Sequence, residues 1–270
     1  MIRILLALLL TSGIAHAQER RVSHCIALAE ATPGIQYLHK ASFRDPVEKH
    51  AVRISYISHA SFLIQSHDGL SAVTDFTGFV GNVDFIPDVV TMNHAHGTHW
   101  TASPDPAITH VLPGWGEYGQ GIDHHLDLGT MLIRNVSTDI RSFGGVEENG
   151  NSIFVFEVGG LCVGHLGHLH HEPNPAQYAA LGRIDVVMAA VDGGTSLDVP
   201  TMMTVLRKLR AQVVIPMHWF EGWTLSGFLN GMSDAYAIVN EGESSVEVSL
   251  RTLPDRPTIV VLQPRFLTGP

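Results

Sequence analysis

The chain has 270 residues, 45% of them hydrophobic, enough to bury a large core as one domain or two close halves. Its formal net charge of −10 argues against nucleic acid and against anionic membrane surfaces as partners. Its two cysteines, Cys25 and Cys162, do not form a ligand-spaced pair, so a metal site here has to be built from histidine and carboxylate.

At the N-terminus, Met1-Ile2-Arg3 supplies a positive start and Ile4 to Ile14 an apolar run too short to span a bilayer. Ala15-His16-Ala17 then offers a small-x-small cleavage site. The expectation is a secretory signal over residues 1–17 and a periplasmic or secreted chain from Gln18 to Pro270. Loss of Arg3 takes Lys plus Arg from 16 to 15 against 26 acids, a mature charge near −11. Cys25 follows Val22-Ser23-His24 and lacks the small residues of a lipid-attachment site, so no membrane association is expected after cleavage. An oxidising compartment permits one disulfide. Cys162, however, lies mid-strand in Leu161-Cys162-Val163, where a buried free thiol is the commoner state.

Residues 18–50 are polar and irregular, with a Pro33-Gly34 turn, and read as a tether or lid-like extension of a domain over 51–270. Short β-rich runs follow, at Val52 to Ser58, Ser61 to Ser66, Ser71 to Asp75, Val89 to Met92, Met131 to Val136, Ile153 to Val158 and Leu161 to Val163. Pro173-Asn174-Pro175 opens a helix over Ala176 to Leu181, closed by Gly182. Asp185 to Ala190 reads as a buried strand. A second helix runs from about Val199 to Arg210, with Asp198 as N-cap and Pro200 in its first turn. Its Met202, Val205, Leu206 and Leu209 recur at helical spacing and mark a core face. Gln212 to Met217 is a strand ending at His218, and two late strands cover Val246 to Leu250 and Thr258 to Leu262. Early strands followed by strands alternating with helices imply two β-sheets packed face to face with helices outside, an α/β fold.

Metal-type residues collect where these strands end. Met92-Asn93-His94-Ala95-His96-Gly97-Thr98-His99-Trp100 places three imidazoles within a span of six residues directly after a buried strand, an arrangement that aims several nitrogen donors at one point. His165, His168, His170 and His171 follow another strand, and His218 ends a third. Together with Asp75 and His59-Ala60-Ser61-Phe62-Leu63-Ile64, these motifs make the stretch from Val52 to Phe228 resemble the metallo-β-lactamase superfamily, in particular its lactonase-like branch.

That resemblance implies a four-layer αββα sandwich of two mixed sheets flanked by helices. It also implies a metal-dependent hydrolase in which a metal-activated water attacks a carbonyl or phosphoryl group. Laid on the family pattern, His94 and His96 match the first two ligands of site one, and His99 and His218 match later ligands. Thr98 stands where active members carry a metal-binding Asp, and His168 stands where they carry the bridging acid. The remaining site-one position falls on Asp139, with Asp127, His124 and His125 as neighbours that compete for it.

Loss of carboxylate leaves two dications less well neutralised and shifts preference toward zinc, nickel, copper or iron. The expected cofactor is zinc, as one or two ions. Two mononuclear sets compete: His99, His168 and His218, or His94, His96 and Asp139. Threonine can hydrogen-bond a water but cannot take its proton near neutral pH, so His170, His171 or His165 would have to carry it, unless they are surface or supporting residues. Asp75 matches the buried acid that holds a ligand histidine through its second nitrogen, and His165 a supporting donor. Trp100 and Trp219 either line the substrate mouth or pack in the core, and Gly114 to Gly121 and Gly144-Gly145 read as loops near that mouth. The leading expectation is a hydrolase of an ester, lactone or phosphoester-like small molecule. The alternative is a degenerate, non-catalytic metal- or ligand-binding member, with a redox di-iron role more distant. Oligomeric state is left open.

Overall fold

The computed structural model describes residues 20–27, 42–94, 96–117, 119–220 and 222–269. The leader expected over residues 1–17, and residues 28–41 of the extension, lie outside the described residues. In chain order the elements are α1 (His24–Ala27), β1 (Ala51–Ser58), β2 (Ser61–Ser66), β3 (Ser71–Val73), β4 (Val89–Met92), β5 (His110–Pro113), β6 (His125–Asp127), β7 (Met131–Ser142), β8 (Gly145–Val158) and β9 (Leu161–His165). They continue with α2 (Pro175–Leu181), β10 (Val186–Ala190), α3 (Val199–Leu209), β11 (Val213–Met217), α4 (Gly222–Met232), β12 (Ala237–Val239), β13 (Ser245–Ser249) and β14 (Thr258–Val260).

Two mixed sheets result. One has the order β13-β1-β2-β3-β4-β5 and the other β12-β14-β11-β10-β9-β8-β7-β6. Period-two alternation decides what faces what. Val52, Ile54 and Tyr56 of β1 meet Phe154 and Phe156 of β8 and Met188 of β10 in the core between the sheets. The run-like strands β10 and β11 are buried along their whole length and pair in parallel at the middle of the second sheet, as continuous apolar runs do. Helices α2, α3 and α4 cover its outer face through Leu181, Met202, Val205, Leu206, Phe228 and Met232. Asp198 caps α3 by accepting from Thr201 N (3.0 Å), and Asn174 and Gln177 form a reciprocal cap on α2. Among the described residues, the outer face of the first sheet is covered by loops that bring Phe43, Phe76, Val80, Trp100, Trp115 and Leu267 together. The αββα plan is therefore present, with loops on one of its outer layers.

Cys25 and Cys162 form a disulfide, which corrects the free-thiol expectation. The reason is the docking of residues 20–27. Buried Glu157 receives Ser23 Oγ, His24 N (3.0 Å) and Arg134 Nε (2.9 Å), and this lays α1 beside β9, where Cys162 waits. That end of the extension is a fastened segment.

Several strands are longer than, or additional to, those expected. β7 and β8 form a long hairpin whose turn contains Gly144, so Gly144-Gly145 closes a hairpin and is not a free loop. The short β5, β6 and β12 lack enough alternation to be seen in sequence. Helix α4, GWTLSGFLNGM, carries three glycines and no charge, so propensity hides it.

Candidate metal centre

The carboxyl ends of β3, β4, β9, β10 and β11 open on one rim of the sandwich. There they deliver Asp75, His96 and His99, His168, Asp192 and His218. A sixth contributor, His59, sits in the β1–β2 turn. His59, Asp75 and His218 all have positive φ (50°, 41° and 58°), backbone that an L-residue adopts at a cost and that aims side chains inward here. The turn is fixed from below, because Tyr56 OH donates to His59 O (2.6 Å) and His218 N donates to the same oxygen (3.0 Å).

One nitrogen from each of His59, His96, His99 and His218 lies within 4.8 Å of the others. The two deepest rings show what this demands. Asp75 Oδ2 is 2.5 Å from His99 Nδ1, and Asp192 Oδ1 is 3.3 Å from His218 Nδ1, an ion-pair distance without good hydrogen-bond alignment. A carboxylate at Nδ1 keeps the ring proton there, so each Nε2 presents a bare lone pair. Those two Nε2 atoms face each other at 3.3 Å. Two lone pairs at that distance repel unless a cation lies between them. Zn–N bonds of 2.0–2.1 Å in a tetrahedral shell put neighbouring nitrogens about 3.3 Å apart. The donor set fits such an ion.

A second chain of contacts fixes the protons on the other rings. Arg141 N donates to His170 Nδ1 (2.6 Å), so neutral His170 carries its hydrogen on Nε2, 2.7 Å from His168 Nδ1. His168 must then hold its hydrogen on Nε2, 2.9 Å from His96 Nε2. His96 in turn has Nδ1–H to give to Thr98 Oγ1 (2.7 Å), and the threonine hydroxyl donates to His59 Nε2 (2.9 Å). His168 thus stands beside the cluster as a donor, while His96 accepts.

Burial, with the mutual repulsion of the rings behind it, lowers the pKa of His59 to about 3 and of His99 to about 2. The same causes lower His96 and, strongly, His168. Burial and then Arg141 take His170 to about 4. These rings are therefore neutral near pH 7, the state a ligand needs. Burial raises Asp75 to about 6 against the opposing pull of His165 and the Asn93 hydrogen bond (2.8 Å). Asp192 goes the other way. Burial pushes it up, but the nearby His218 ring and hydrogen bonds from Ser196 and Thr195 outweigh that and hold it far below the usual carboxylate range.

The residues singled out from sequence separate into three groups. His96, His99 and His218 meet in the cluster, with His168 against His96, Thr98 bridging His96 and His59, and Asp75 behind His99. His170 touches His168 and lies one ring removed from the cluster, and fully buried His165 donates Nε2–H to Ala60 O (2.8 Å), bracing the His59 turn. Gly167 lets this turn close: at φ 60° a Cβ there would lie 2.4 Å from Asn93 Nδ2.

The third group is not brought together. His94 turns away to stack on Trp115 (4.9 Å between centroids), with Nδ1 3.3 Å from Glu147. Asp139 accepts from Asn149 N (2.9 Å) at the irregularity in the β7–β8 ladder, so its carboxylate is a turn fastener. Neither joins the cluster, and the His94, His96, Asp139 set does not form. Trp219 packs against the helix-side core and Trp100 against Trp115. Sequence reasoning missed His59 as a ring of the cluster and Asp192 altogether. The signal available for His59 was a histidine between two apolar strands, and for Asp192 an acid just past a buried parallel strand.

A family model described as a beta-lactamase superfamily domain matches residues 53–218. No match is found among curated proteins. Among solved structures, the chain is similar to a candidate Zn-dependent hydrolase of the metallo-beta-lactamase superfamily from Thermotoga maritima, at 26% identity and TM-score 0.55 over 79% of this chain and 100% of that one. It is also similar in fold to a metallo hydrolase from Ignicoccus hospitalis (16% identity, TM-score 0.51, 68% and 91% covered). A third fold-level likeness is to the isothiocyanate hydrolase from Delia radicum gut bacteria (14% identity, TM-score 0.50, 73% and 99% covered). With the sandwich, the rim of histidines and this match over most of the domain, the chain belongs to the metallo-beta-lactamase superfamily.

Proposed function

We propose that the protein is a metal-dependent hydrolase that works with a single zinc ion held by imidazole nitrogens, acting on an ester, lactone or phosphoester-like small molecule outside the cytoplasm. The observation that carries this is the pair of bare Nε2 lone pairs of His99 and His218, 3.3 Å apart, each with a carboxylate on its other nitrogen. His96 adds a third nitrogen, and His59, whose Nε2 accepts from Thr98 (2.9 Å), stands beside them, so that a fourth position would remain for water. All-imidazole donors favour zinc, nickel, copper or iron over magnesium or manganese. The absence of any carboxylate in this group disfavours a second dication.

A bound zinc ion would supply Lewis acidity and a water of pKa about 7. The chain's own residues do the rest. Asp75 and Asp192 orient His99 and His218. Thr98 gives and receives hydrogen bonds but takes no proton at neutral pH, so it positions and does not act as a base. With His96 Nε2 among the nitrogens that would hold the ion, the His168 N–H would be free to donate to a substrate oxygen, its tautomer held by His170 and the Arg141 amide. The Cys25–Cys162 disulfide suits an oxidising compartment and supports the secretory reading.

The test is to strip metal from the purified protein with a chelator, reload it separately with zinc, nickel, iron and manganese, and assay esters, lactones and phosphodiesters. Zinc-restored hydrolysis of one class is the expected result, and no hydrolysis under any loading would contradict it. Thr98 and His168 in place of acids favour a second reading, a metal- or ligand-binding member without turnover. A Thr98→Asp, His168→Asp double variant that gains hydrolysis over an inactive parent would support that reading, whereas a loss would mark the histidine-rich site as functional.

A further inference from the structure

Resting on the hydrolase reading, we infer that the apolar part of the substrate, about one aromatic ring in size, binds between Phe220 and Trp223. A cavity of about 180 Å³ opens beside the metal centre and is lined by Asp192, Phe220, Trp223 and Thr224. Its walls are unusual for a surface. Phe220, just before α4, is 67% exposed and Trp223, in its first turn, 71%, whereas Leu225, Phe228 and Met232 of the same helix are buried. The Phe220 ring lies 5.1 Å from the His218 ring and 5.3 Å from the His59 ring, centroid to centroid. One wall of the cavity is thus shared with the cluster.

The carboxylate of the lining, Asp192, does not compete for a ligand. Its oxygens are taken by Ser196 Oγ, Thr195 Oγ1 (2.7 Å), Thr195 N (2.6 Å), Gly194 N (3.1 Å), Ser196 N (3.1 Å) and the His218 ring. The exposed aromatic faces of Phe220 and Trp223 gain from stacking an apolar or aromatic group and nothing from a small polar one. The volume fits: a dry cavity of roughly 150 Å³ is enough for benzene. A ring held there stands next to His59 and His218, so the bond attached to it reaches the centre. Size selection by these two residues follows, with small acyl or alkyl groups bound poorly and ring-bearing ones bound well.

The experiment measures equilibrium binding of benzamide and of acetamide by ligand-observed NMR, on the full-length protein as isolated and after chelation. Benzamide is expected to bind at least about fivefold more tightly than acetamide in both forms, as stacking on exposed aromatic faces provides. Trp223→Ala and Phe220→Ala should each erase that preference, and Trp223→Phe should keep most of it. The exposure of both positions spares the fold. Equal binding of the two amides, or a preference that survives both alanine variants, overturns the inference. Failure of the hydrolase reading looks different: benzamide would still bind selectively while no ester, lactone or phosphodiester is cleaved under any metal.

Discussion

Two strand-end turns of this molecule carry three or four histidines each, and they use them in opposite ways. The turn after β4 sends His96 and His99 into the cluster and His94 out against Trp115. The turn after β9 sends none of its rings into the nitrogen group: His165 braces the His59 turn, His168 donates to His96, and His170 fixes the proton on His168. The difference lies in what holds each second nitrogen. His99 has the carboxylate of Asp75 behind it, which keeps the proton on Nδ1 and leaves Nε2 free. His168 has His170 behind it, locked by the Arg141 amide, which forces the proton onto Nε2. A histidine's role is set by its partner, not by how many histidines stand beside it.

The sharpest way to break this comparison is to remove one ring of each kind. His99→Ala or His218→Ala should abolish metal binding, whereas His168→Gln should leave an ion in place, read by elemental analysis after gel filtration. Metal loss in His168→Gln equal to that in His99→Ala would make the two turns equivalent. Next in size, Asp75→Asn should weaken metal affinity by about 10- to 100-fold, the usual cost of losing a ligand's hydrogen-bond partner. Competition with a chromophoric chelator checks this, and unchanged affinity would remove Asp75 from the account.

A pH series on chelated protein sharpens the electrostatic half. Folded His59, His99 and His170 have pKa values near 3, 2 and 4 against an ordinary 6.5, so between about pH 6.5 and 4 the unfolded chain binds more protons. Stability is then present above that window and is lost as pH falls through it. Asp75, raised to about 6, works the other way between pH 4 and 6 and offsets only part of the loss. The melting temperature should fall steadily from pH 7 to 4.5, and a flat or rising profile would contradict the buried neutral rings. Smaller and remote from the cluster, the Cys25→Ala, Cys162→Ala pair should cost about 2–4 kcal/mol, seen as a lower urea midpoint with metal affinity retained.

Much of this was legible from residues alone. Period-two runs gave the sheets, capped helical spacing gave α2 and α3, and strand-end histidines gave the rim. The parts that were not legible depend on distance through space. Cys25 and Cys162 are 137 residues apart, and only the docking of Ser23 and His24 on Glu157 brings them together. His59 enters the cluster through a positive-φ turn that its sequence does not announce. Asp192 becomes a partner because β10 and β11 pair in parallel and end level with each other. His94 and Asp139 fit a spacing pattern, yet turn geometry points one at Trp115 and gives the other to a hairpin amide.

One cation between the facing imidazoles of His99 and His218 is the central expectation. Zinc-edge X-ray absorption on the reloaded protein, with metal counted per chain, reads this directly. One ion per chain in a shell of imidazole nitrogens, with any oxygen coming from solvent, is the result the account requires. Two ions per chain, a carboxylate ligand in the shell, or no retained metal would contradict it.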